Sequence, residues 1–255
     1  MLKIAPLIDL FFKGESWGAR AEKIAACGYK YVETWQGKDP AALKEMNAAG
    51  IRLISIVVNF ATDAAVAPVN PKSRDAFLDQ VDKFADNALA AGCHQGIITA
   101  GQKVNRLSRE AQREALTAAL AAAGERVRDR GFNLVLEPLN TEVDHAGYFI
   151  SDPAEAVSIV KETGCSNVKV LYDIYHMSIM HGNQTEFLRH NINWIGHFHV
   201  AGVPGRHEPK NGETNYPFLL KEIDTLGYQN WIGLEYMPLL ESRESLLQTA
   251  EYFKI

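Results

Sequence analysis

The chain has little cysteine: Cys27, Cys93 and Cys165 are its three thiols in 255 residues, far apart and in no CxxC pair. An odd, scattered set makes neither a disulfide framework nor a thiolate metal cage, so these read as buried or incidental thiols of a reducing compartment. Basic runs are also missing. Lys and Arg number 26 against 31 Asp and Glu, a net charge of -5, whereas a nucleic-acid partner asks for a basic face. No apolar stretch approaches the roughly 20 residues that span a bilayer. The opening MLKIAPLIDLFFKGES lacks the long apolar core and small-residue cleavage site of a signal peptide. A cytoplasmic protein with neither a nucleic-acid nor a membrane partner is expected. No GxGxxG follows the first apolar run, and no linker or low-complexity tract divides the chain.

What is present is an ordinary globular composition, 47% apolar and 22% charged. The length suits one large α/β domain over residues 1–255. Short apolar runs alternate with Ala-rich amphipathic segments throughout. Candidate strands cover residues 3–10, 31–35, 52–59, 95–101, 133–140, 168–176, 194–201 and 231–236. Helices are expected to begin near Ser16, Pro40, Ser73, Ser108, Pro153, Gln184, Pro217 and Ser242. Ser73 and Ser108 read as N-caps, and Asp39-Pro40 and Asp152-Pro153 place an Asp cap before a first-turn proline. Eight strand–helix units, with strands too apolar to have a wet face, predict a single-domain (β/α)₈ TIM barrel over a doubly wound open sheet. The longest irregular stretches, residues 61–72 and 202–216, then fall on the C-terminal face, where such barrels carry their chemistry.

Four of the runs end in a polar residue: Glu137 in NLVLEPLN, Asp173 in VKVLYDIYH, His199 in WIGHFHVA and Glu235 in WIGLEY. A polar group at the end of an apolar strand is costly unless it faces a site. One such carboxylate can equally cap the next helix; four on successive strands argue for a common centre. Strand alternation permits all four to point inward. Three carboxylates and an imidazole are a hard, oxygen-rich donor set, suited to Mn²⁺ or Mg²⁺, with Co²⁺ as a further candidate. His197 reads as a barrel-filling residue or a support for the ligands. Glu33 is a mouth residue able to hold such a group, or a loop carboxylate. His207 and Glu208 either line the pocket or cap the next helix. Trp35 and Phe60 either wall the pocket or pack, and His94, His145, His181 and His190 read as solvent-facing or helix-end residues.

The segments Glu137-Pro-Leu-Asn140, Tyr172-Asp-Ile-Tyr-His176, Gly196-His-Phe-His199 and Gly202-Val-Pro-Gly-Arg-His-Glu-Pro209 resemble the hydroxypyruvate isomerase family. So do Gly212-Glu-Thr-Asn-Tyr-Pro217 and Gly233-Leu-Glu-Tyr236. That family lies within the xylose isomerase-like TIM barrels, close to the ketose 3-epimerases. The resemblance implies a metal bound by Glu137, Asp173, His199 and Glu235, with Glu137 and Glu235 doubling as an acid/base pair. It implies that His176 and Arg206 contact the oxygens of a small sugar or 2-oxo acid, and that Glu142 touches a terminal hydroxyl. It leaves a homo-oligomer open. The implied reaction is aldose–ketose isomerisation of the hydroxypyruvate-to-tartronate-semialdehyde type. A ketose 3-epimerase is the alternative; a sugar-acid dehydratase or a metal-dependent DNA-repair endonuclease stands further off.

Overall fold

The computed structural model describes residues 2–47 and 50–254. All eight apolar runs form strands: β1 (Lys3–Pro6), β2 (Tyr31–Thr34), β3 (Arg52–Val57), β4 (Gln95–Thr99), β5 (Asn133–Glu137), β6 (Val168–Asp173), β7 (Ile195–Val200) and β8 (Trp231–Leu234). They pair in parallel in the order β1-β8-β7-β6-β5-β4-β3-β2. A parallel bridge between Leu7 and Glu33 joins the two ends of the sheet, giving the expected TIM barrel. Every residue of β4 and of β7 is buried, as a strand with helices on one side and a filled lumen on the other requires.

Nine helices surround the strands among the described residues: α1 (Trp17–Ala26), α2 (Pro40–Met46), α3 (Arg74–Ala90), α4 (Arg109–Arg128), α5 (Pro153–Glu162), α6 (Ile174–Met180), α7 (Gln184–Asn191), α8 (Tyr216–Thr225) and α9 (Ser242–Phe253). Local chemistry sets their starts. Ser16 and Ser108 accept from backbone N–H groups of the first turn, and Asp39 and Asp152 do so ahead of a first-turn proline. Ser73 departs from expectation: its hydroxyl donates to the Ala64 carbonyl at 3.0 Å, and α3 has no side-chain cap.

The run 168–176 is not one strand. Asp173 ends β6, and its Oδ1 accepts from the backbone N–H groups of Tyr175 (2.7 Å) and His176 (3.3 Å), turning the chain into α6. This carboxylate therefore also places His176 on a first helical turn.

The main apolar core lies between sheet and helices. A smaller cluster of Val57, Ile97, Val135 and Leu171 fills the lumen, with Trp35 packed against it. Side chains alternate along a strand, so the residue two places beyond each lumen residue also faces inward. Glu137 stands above Val135, Asp173 above Leu171, His199 above His197 and Glu235 above Gly233. Register aligns these layers: Leu171 lies beside His197, Asp173 beside His199, and His199 beside Gly233.

Candidate active site and metal centre

Glu137, Asp173, His199 and Glu235 each offer a ligand atom within 4.8 Å of the others, and all four are buried. His199 Nδ1 lies 3.0 Å from Glu235 Oε2 and 3.5 Å from Glu137 Oε1. Neither His199 Nδ1 nor Glu137 Oε1 has a hydrogen-bond partner in the protein. Arg206 reaches in from the loop after β7, with Nη2 2.5 Å from Glu235 Oε2 and 3.8 Å from Asp173 Oδ2. Its backbone is left-handed at φ 59°, a conformation that costs a non-glycine residue. Two backbone bonds hold it there: Arg206 N–H donates to the Gly202 carbonyl (2.9 Å), and Met237 N–H donates to the Arg206 carbonyl (2.7 Å).

Glu33, wholly buried, lies beneath the cluster. Its Oε2 is 2.7 Å from His197 Nε2, and its Oε1 is 3.1 Å from His199 Nε2. His199 sets Nε2 beside the Glu33 carboxylate and Nδ1 toward Glu137 and Glu235. Glu33 is thus the support for the ligands that its strand-end position allowed, and His197 its second partner.

Four buried carboxylates, Glu33, Glu137, Asp173 and Glu235, share this volume with one guanidinium. Electrostatics separates them. Burial raises the Glu137 carboxyl above its usual range against the pull of His199, and raises Asp173 to about 7 against Arg206 and His199. Burial also works against the charge of Glu235, but Arg206, His199 and the Trp35 hydrogen bond outweigh it and hold the group well below its usual range. Glu33 is likewise lowered, its burial outweighed by His199 and His197. His199 is held well above the ordinary imidazole range: burial opposes its charge, and Glu33 and Glu235 outweigh the burial. The donor set is hard and anionic, and two of its ligand atoms lack any partner, so these residues fit a divalent cation.

A cavity of about 240 Å³ opens onto the cluster. One wall is apolar, from Trp35, Val57, Phe60, Ala61, Ile97 and Leu139; Glu137, Glu235, Arg206, Thr99 and His145 face it with polar atoms. Trp35 is more than a wall. Its Nε1–H donates to Glu235 Oε1 at 2.9 Å, and Asp9 accepts from the Trp35 backbone N–H at 2.9 Å.

Glu142 is exposed and outside the lining of the cavity, and the same loop turns His145 inward. His145, expected in solvent, is half-buried, lines the cavity and meets the His176 ring edge-on with centroids 5.3 Å apart. No local pattern signalled this, because the loop's path is set by Asn140 and Asp144. His176 is wholly buried, with Nε2 3.4 Å from Asp173 Oδ2. Glu208 is buried away from the cavity, and its Oε1 accepts from the Leu239 and Leu240 N–H groups and the Ser245 hydroxyl. His207 is bonded to the Met237 carbonyl at 2.8 Å.

Comparison with known proteins agrees with this fold. Hydroxypyruvate isomerase of Escherichia coli is 30% identical over 246 residues, covering 93% of this chain and 94% of that protein. The 2-oxo-tetronate isomerase of Cupriavidus necator is 45% identical over 119 residues, which is 47% of this chain and 45% of that protein; this match spans less than half of either. A crystal structure from Brucella melitensis, described as an AP endonuclease of family 2, superposes with a TM-score of 0.90 at 29% identity, covering 99% of both chains. Barrel, site and relatives together define an enzyme of the isomerase class. Residues 21–254 match the xylose isomerase-like TIM barrel family, and the chain belongs to it.

Proposed function

We propose that the protein is a metal-dependent isomerase that interconverts the aldehyde and ketone forms of a small 2-oxo acid, of the hydroxypyruvate or 2-oxo-tetronate type. The observation that carries this reading is geometric: Glu137 and Glu235 both line one small cavity and both belong to the hard donor set at its floor. Arg206 also lines that cavity, 2.5 Å from Glu235. Two carboxylates at one reacting centre are suited to serve in turn as base and acid.

Isomerisation moves a proton from the carbon that bears the hydroxyl to the neighbouring carbonyl carbon, while the hydroxyl proton passes to the former carbonyl oxygen. Glu235 takes the carbon proton, and Glu137 accepts the hydroxyl proton and returns a proton to the neighbouring carbon, the proton held on Glu235 passing to the new hydroxyl oxygen; in the reverse direction the two exchange roles. A divalent ion on Glu137, Asp173, His199 and Glu235, Mn²⁺ or Mg²⁺ by the hardness of the donors and Co²⁺ as a further candidate, supplies Lewis-acid polarisation of the substrate oxygens when bound. Arg206 and His176 offer donors to oxygens that gain charge in the enediolate, and Arg206 suits a substrate carboxylate. The apolar wall keeps water from the carbanionic carbon.

A panel of hydroxypyruvate, 2-oxo-tetronate and ketoses, incubated with Mn²⁺ or Mg²⁺ and followed by NMR, tests the reading. Aldehyde–ketone interconversion of a 2-oxo acid supports it. Turnover confined to epimerisation of ketoses, or none with metal bound, would sink it.

A further inference from the structure

Asn140 closes the Glu137-Pro-Leu-Asn140 run. It is wholly buried. Its Oδ1 accepts from the backbone N–H groups of Val143 (3.0 Å) and Asp144 (2.9 Å). Its Nδ2 lies 2.6 Å from Asp144 Oδ2 and 2.7 Å from His176 Nδ1. The Asp144 carboxylate also accepts from the Tyr175 hydroxyl at 2.8 Å.

This arrangement has one solution. Two backbone N–H groups can meet only an amide oxygen, so the oxygen end is fixed and the NH₂ end faces His176. An amide NH₂ has no lone pair to offer. His176 Nδ1 must then accept, and in the neutral ring the proton sits on Nε2. Nε2 is buried, has no hydrogen-bond partner in the protein, and lies 3.4 Å from Asp173 Oδ2. His176 backbone is itself tied to Asp173 Oδ1.

We propose that Asn140 is a positioning residue that locks His176 in the Nε2–H tautomer, so that the ring presents a hydrogen-bond donor on the Asp173 side of the site. Nε2 lies behind Asp173, outside the lining of the cavity; on the proposed isomerase reading, on which this second half rests, a substrate seated beside Asp173 meets this donor at an oxygen that gains negative charge. An imidazole in the other tautomer would turn a lone pair toward that oxygen and repel it. The lock explains why one residue ties down this loop with three side-chain hydrogen bonds and gives its fourth to His176.

The test is two-bond ¹H–¹⁵N correlation NMR of ¹⁵N-histidine-labelled full-length protein with Mg²⁺ added, the His176 signals assigned by their loss in His176→Gln. The wild-type protein is expected to show His176 with a bare Nδ1 and a protonated Nε2. Asn140→Asp, which keeps the two backbone bonds but places an acceptor against Nδ1, is expected to reverse this. Loss of one donor to a charged oxygen costs roughly 10- to 100-fold in kcat with a smaller change in KM. A wild-type ring already protonated at Nδ1 overturns the lock and needs no variant to show it. An inverted tautomer with unchanged kcat overturns the donor role. Because the tautomer is read without substrate, a lock that holds in a protein with no isomerase activity would condemn the functional reading and not the lock.

Discussion

Gly233 and Glu33 face each other across the barrel lumen with no room for a methyl group between them. A Cβ on Gly233 would stand 2.6 Å from the Glu33 carboxyl carbon and 2.6 Å from His199 Cδ2, and closer still to Glu33 Oε1. The glycine of WIGLEY is thus the space in which the carboxylate supporting His199 lies.

Gly233→Ala is therefore expected to push Glu33 and His199 out of line. Supports of metal ligands typically contribute 10- to 100-fold in affinity, so titration calorimetry with Mn²⁺ should show a loss of about that size in a folded protein. Unchanged affinity would mean that Glu33 does not orient His199.

Metal binding should release protons. Without the ion, His199, Asp173 and Glu137 have raised pKa values, Asp173 at about 7. The ligands must shed these protons to bind, so affinity falls as pH drops through 7 and rises above it. Calorimetry in two buffers of different ionisation enthalpy measures the protons released; a pH-independent affinity between 6 and 8 would contradict the assignment of these ligands.

Much of this site was legible in the chain because strand alternation and apolar runs fix direction before fold. Glu137, Asp173, His199 and Glu235 each end a run, and a parallel barrel brings such ends together. The contacts that tune them were not legible. Glu33 meets His197 across 164 residues, and Trp35 meets Glu235 across 200; only barrel closure makes them neighbours. His145 and Glu142 share one loop, and which of them turns inward depends on the Asn140 bonds, not on local periodicity. The strand predicted to run to His176 stopped at Asp173 because a side chain capped the next helix.

Asp173→Asn separates stability from function. With its folded pKa raised to about 7 and an unfolded value near 3.9, the metal-free protein holds a proton on Asp173 that the unfolded chain has lost. That contribution is fully present below pH 4 and is lost as pH rises to 7. The asparagine variant keeps a helix-capping side chain and carries no such penalty, so its melting temperature relative to metal-free wild type should increase from pH 5 to pH 8. Its metal affinity should collapse. A difference that does not vary with pH would show that Asp173 is ionised throughout.

Trp35→Phe keeps the apolar wall but removes the donor to Glu235. A hydrogen bond to a charged group contributes about 1.5–3 kcal/mol, and its loss should raise the pKa of Glu235. The acid limb of the kcat/KM profile should move up by about one to two pH units, with activity at neutral pH changed much less than activity on that limb. A profile that merely scales down, with its limb unmoved, would assign Trp35 to packing alone.

The most direct measurement is deuterium incorporation from D₂O into substrate at the carbon next to the carbonyl, comparing wild type with Glu235→Gln and Glu137→Gln, each with metal binding verified. Proton transfer by a positioned group contributes about 10²–10⁴-fold. Wild type should exchange in a metal-dependent way, and either glutamine variant should lose turnover by that factor. If either variant, with metal bound, keeps turnover and exchange within a few-fold of wild type, these glutamates are not the acid/base pair.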